Sequence, residues 1–140
     1  MTLSGLNWWL VVLASLIVFL GGWIWFGPKT FYKPWIEALN KKEGMNQMYK
    51  PGALFSLTYL QGLIQIIALG WIINSLQHHI AGIGVVDGAV IGFWLGIGIV
   101  AMPAFRHSMF AEHRRKAWVI EASYDVLNLV IVGALFGLFN

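Results

Sequence analysis

DGAVIGFWLGIGIVAMPAF, residues Asp87–Phe105, is the stretch that decides the fold. After Asp87 it carries no charge, and at about 1.5 Å per residue its length matches a hydrocarbon core of about 30 Å. Gly88, Gly92 and Gly96 recur at four-residue intervals. On a helix such a stripe removes the side chains along one face, so that another helix can approach backbone to backbone. The pattern predicts a span that is central in the fold or lies at an oligomer interface. Pro103 predicts a bent or weakened last turn.

Three further apolar runs flank this one, at about 8–26, 52–76 and 118–139. The chain is 59% hydrophobic and 11% charged, against about 25% charged in ordinary soluble domains. These features predict one domain over residues 1–140. It is an all-α integral membrane protein, a four-transmembrane-helix bundle with a short interfacial helix between spans one and two. Gly133 and Gly137 give span four a small-xxx-small pair of its own. Residues 1–26 lack the basic start and small-residue end of a cleavable signal, so they are expected to be retained as the first span.

All nine lysines and arginines fall in two places, residues 27–51 and 106–116. The amino end, the loop after span two and the carboxyl end have none. Basic residues stay on the cytoplasmic side, so both basic loops are expected in the cytoplasm of a cytoplasmic membrane and both termini outside. Aromatic residues at the ends of span one (Trp8 and Trp9; Trp23, Trp25 and Phe26) read as interfacial anchors. Gly27-Pro28 should stop that helix. Pro34 to Glu43 reads as a short helix in the headgroup layer, with Pro34 at its first position and Gly44 at its stop. The alternative is a helix packed on the ends of the bundle.

The polar groups inside the apolar runs carry whatever chemistry the chain has. Glu121, Asp125 and Asn128 share one helical face, running from the basic end about halfway into span four. An ionisable group at the centre of a membrane helix costs about 2.5–3.5 kcal/mol on insertion scales, so it calls for a partner or for water. One reading is a proton or cation path, or a polar substrate site. The plainer reading is that Arg106 and His107 neutralise the two acids and set the angle of spans three and four. A contact between copies is the third. Thr58, Gln61 and Gln65 share a face of span two, which is expected to look into the bundle, either across to the acids or into interhelical hydrogen bonds.

Several classes fall away. The absence of cysteine excludes disulfides, thiolate metal sites and cysteine nucleophiles. His107 and His113 lack the four-residue spacing that puts two imidazoles on one helical face, and His78-His79 point apart, so no metal is expected. No nucleotide loop, catalytic triad or nucleic-acid module is visible, and no cofactor is implied. The expected partners are membrane lipids, anionic headgroups above all.

Trp25-Phe26-Gly27-Pro28, followed by Lys33-Pro34-Trp35, resembles the aromatic-aromatic-x-Pro and basic-x-Trp signature of the bacterial family known as domain of unknown function 1761. That family often has Tyr and Ser where Phe26 and Gly27 stand. The glycine-rich third span, the basic turn, Trp118 and Ala122-Ser123-Tyr124 are similar too. The resemblance implies a compact four-helix membrane protein and brings no activity, cofactor or site residue.

Three functions stay open. The glycine stripes favour a structural or accessory protein that self-associates or docks into a larger membrane complex. The stripe on span four favours an oligomeric channel or transporter for protons, cations or small solutes. An enzyme acting on lipid would need acid–base work from the same carboxylates, and no second residue type strengthens it.

Overall fold

A computed structural model describes residues 5–41, 50–112 and 114–139. Lys42, Gly44 and His113 lie outside them. In order, the elements are α1 (Trp8–Trp25), α2 (Tyr32–Leu39), α3 (Pro51–His79), α4 (Val85–Leu95), a π-helical turn (Gly96–Ala101), α5 (Met102–Phe110) and α6 (Arg115–Phe139). There is no strand among the described residues. Four stretches are long and apolar enough to cross a membrane: α1, α3, the continuous run Val85–Phe110, and α6.

Three of the four long helices outrun the apolar windows that announce them. A polar residue at a helix end still satisfies its backbone within the helix, so hydropathy marks only the middle. The third long helix starts at Val85, and the Asp87 carboxylate in its first turn accepts the Gly84 N–H at 3.0 Å. An acid there also complements the positive end of the helix dipole. At the close of α1, the Thr30 hydroxyl donates to the Ile24 carbonyl and, at 2.7 Å, to that of Trp25. Helix α2 begins two residues before Pro34 and stops at Asn40, whose φ of 55° is left-handed.

Helix α6 touches every other helix. Its buried Val132 and Phe136 form the core with Ala14 of α1 and Ile66 and Ile73 of α3. The Phe136 ring lies flush on Gly70, where a Cβ would come within 2.6 Å of Cζ. Helix α4 lies against the opposite side of α6, and there the glycine stripe is consumed. A Cβ on Gly88 would run into the Gly133 carbonyl, one on Gly92 into the Leu129 carbonyl, and one on Gly137 into the Gly84 carbonyl. At Gly96 it would meet the Val126 Cα at 3.1 Å.

One expectation changes. The central helix is the fourth long one, because the stripe allows close approach on one side only; the other faces of the third carry Val86, Trp94 and Ile99, all exposed. The disturbance expected at Pro103 takes the form of a wide turn just before it. Pro103 lacks an N–H and its ring crowds the carbonyl four residues back, and the Met102 N–H reaches the Ile97 carbonyl, five residues away. Such π turns are the usual way a helix absorbs a local misfit.

Gly92 and Gly98 therefore separate close approach from composition. Gly92→Ala should lower stability by about 1–3 kcal/mol through overpacking against backbone. Gly98, with nothing within 4 Å of its would-be Cβ, should accept alanine without loss. Unfolding of both variants in mixed micelles measures the difference; equal effects would contradict the packing described here.

Candidate functional site

The loop after α1 turns the chain back so that α2 lies across the start of α6. Six aromatic residues meet there. Trp25 stacks near Phe31 (ring centroids 4.5 Å apart) and Tyr124 (6.0 Å). Phe26 sits between Trp35 (5.0 Å) and Tyr124 (5.4 Å), and Tyr32 flanks Trp35 at 6.4 Å. Offset and edge-on pairs at such distances add about 0.5–1.5 kcal/mol each beyond the area they bury.

Polar handles tie the rings to α6 and α1. The Trp35 indole N–H donates to Glu121 Oε1 at 2.7 Å. The Trp25 indole N–H donates to the Ile120 carbonyl at 3.1 Å. The Tyr124 hydroxyl donates to the Val18 carbonyl. A little apart, the Trp118 indole N–H donates to the Ala101 carbonyl at 3.0 Å, at the end of the π turn. A buried indole or phenol must find an acceptor, and in an apolar bundle these few bonds choose which helices lie together.

The residues singled out from sequence divide. Glu121, Asp125 and Asn128 do share a face, and Tyr124 joins them. Arg106 is exposed and forms no ion pair with either acid among the described residues. The neutral N–H of Trp35 holds Glu121 instead, and α2 packs on the start of α6. Of the expected anchors, Trp8, Trp9 and Trp23 point outward while Trp25 and Phe26 turn in. Asp125 is half-buried one turn from Glu121, with no hydrogen bond to another described residue. Beyond Asn128 the same side of α6 continues as buried Leu129, Val132 and Phe136.

The seam of α3 does not look into the bundle. Thr58 and Gln61 are exposed, and the Thr58 hydroxyl donates to its own helix at the Leu54 carbonyl, 2.9 Å away. Gln65 is half-buried beside Leu69, Leu95 and Leu129. The first half of α3 leans on α1, where Tyr59 meets Ser15 (3.0 Å between hydroxyls) and the edge of Phe19. With 29 residues, α3 is about 43 Å long, more than the roughly 30 Å that a helix needs to cross a hydrocarbon core.

At the other end, Gln77 Nε2 donates to the Ile83 carbonyl at 3.3 Å and its Oε1 is buried without a partner. His78 and His79 each place Nδ1 at 2.8 Å from a carbonyl of their own helix. No group of three metal-ligating side chains comes together among the described residues.

The fold and this cluster define a class: an all-helical bundle with four helices apolar enough to span a membrane, pinned at one end by tryptophan, tyrosine and a carboxylate. Residues 9–137 match the family described as protein of unknown function DUF1761, and the chain belongs to that family. Comparison with curated proteins and with solved structures gave no match. Trp25, Phe26 and Trp35, which carry the sequence resemblance, are the residues that close over Glu121 and Tyr124.

Trp35→Phe keeps an aromatic ring, though a smaller one, and removes the donor, leaving a half-buried carboxylate unsatisfied. It should cost about 1–3 kcal/mol. Glu121→Gln, which keeps an acceptor oxygen, should cost clearly less. A double-mutant cycle on unfolding in detergent reads the coupling, and additive losses would show that the bond holds nothing.

Proposed function

We propose that the chain is a structural or accessory membrane protein that acts by association within the bilayer, with its basic loops in the cytoplasm and its termini outside. One observation carries this reading: the polar face of α6 is closed by buried Leu129, Val132 and Phe136. The carboxylate at its mouth is engaged by Trp35, and the rings around it pack on one another. That is the build of a clamp between helices rather than of a conduit. Because the glycine stripes are used within the chain, any association must use other faces, and the long helices leave much apolar surface exposed.

A second reading is an oligomeric proton or cation pathway. It is favoured by Asp125, a half-buried acid without a hydrogen bond among the described residues, and by the outward-facing Gln61.

Proteoliposome flux separates the two. The accessory reading expects proton and potassium flux no faster than in protein-free vesicles. Flux in the wild type that disappears in Asp125→Asn would replace it with the pathway. The association itself is tested in native nanodiscs, where the chain should travel with further copies or another protein; isolated 15.7 kDa chains would count against it. Orientation is open to labelling, since the chain has no cysteine. A single cysteine at residue 2 should react with an impermeant maleimide from outside intact cells, and one at residue 115 should not.

A further inference from the structure

The third and fourth long helices touch backbone to backbone from Gly88 to Gly96 and stay in contact beyond, where the Phe105 ring packs on Trp118 with centroids 4.7 Å apart. Along one flank of this pair lies an open groove of about 570 Å³. Phe93, Ile97 and Met102 line one wall, and Trp118, Ser123 and Val130 the other. The lining is almost wholly apolar. Ala101, Ala122 and Ser123 contribute short side chains where larger ones would have filled the groove.

Along α6 the groove runs from Trp118 to Val130. That is about 18 Å at 1.5 Å per residue, close to the roughly 15 Å of hydrocarbon in one leaflet. Its lower end opens where the chain's second basic cluster stands. Arg106 lies four residues after Met102, and Arg115 four residues before Val119, so each continues a lining face of its helix. Both are exposed and free of ion pairs among the described residues. Arg114 and Lys116 are adjacent. Glu112 is the acid of the same turn among the described residues, and Glu121 is turned to Trp35 on the far side of α6.

We propose that this groove holds one acyl chain of an anionic phospholipid of the basic-loop leaflet, with its phosphate met by Arg106 and Arg115. Apolar length matches one chain, and charge at the mouth matches one headgroup. A phosphate attracts guanidinium groups as paired, charge-assisted hydrogen bonds. The occupant would cover Phe93 and the open side of Trp118 along the flank of the helix pair.

Native mass spectrometry of the full chain in a nonionic detergent tests this, with dioleoylphosphatidylglycerol and dioleoylphosphatidylcholine added separately. Phosphatidylglycerol should bind more tightly. Arg106→Gln with Arg115→Gln should weaken it by roughly fivefold for each arginine, the equivalent of about 1 kcal/mol per basic residue at an anionic surface. Ser123→Phe fills the groove from an exposed position and should weaken both lipids. Equal binding of the two lipids, or no effect of the arginine pair, overturns the headgroup assignment. Unchanged lipid binding by a helical, monodisperse Ser123→Phe overturns the groove. Copies that pair in wild type and separate in Ser123→Phe would make a second chain the occupant, and overturn it as well. If Ser123→Phe fails to fold by circular dichroism, the exposed arginine pair decides alone.

Discussion

The contact on which the rest depends is backbone against backbone. Gly88, Gly92 and Gly96 on one helix and Gly133 and Gly137 on another bring two chains of carbonyls and Cα atoms to van der Waals distance. In hydrocarbon no solvent drives helices together, so close packing of this kind is a main source of attraction. It also determines the angle and register of α4 on α6. With that face occupied, the opposite side of α6 receives α1 and α3, and its early turns receive α2.

The same helix pair changes character halfway along. Above Gly96 it is a seam. Below it the turn before Pro103 widens, and the contact continues through side chains: the Ala101 carbonyl accepts the Trp118 indole N–H, and the Phe105 ring packs on Trp118. On the other side of α6, tryptophan N–H groups again choose the contacts, Trp25 to a carbonyl and Trp35 to a carboxylate. Polar bonds are few in this bundle, and each is correspondingly specific.

Much of this is legible in the residues themselves. Four apolar lengths, the repeat of glycines and the lopsided placement of lysine and arginine are one-dimensional patterns, and they report the number of long helices and where close packing must occur. The polar stripe of Glu121, Asp125 and Asn128 is legible for the same reason, since helical periodicity puts them on one face. Its partner is not. Arg106 is the natural choice by charge, yet the side chain that reaches Glu121 comes from Trp35, 86 residues earlier. The available signal was that an indole N–H in an apolar setting needs an acceptor, and Trp35 and Glu121 lie at the same end of the bundle. Thr58 and Gln61 mislead for a related reason: a hydroxyl can bond its own helix, and a shared face says nothing about which neighbour it meets.

What the sequence by itself determined is the kind of helix each segment forms, because that depends on local backbone bonding, on apolar length and on the loss of side chains along a stripe. The tertiary structure alone decided which helix stands at the centre, what holds Glu121, and that the turn before Pro103 is a wide one. The first two outcomes rest on where two distant segments meet. Glycines that permit contact do not name their partner, and a hydrogen-bond donor is committed only when packing brings one acceptor within about 3 Å.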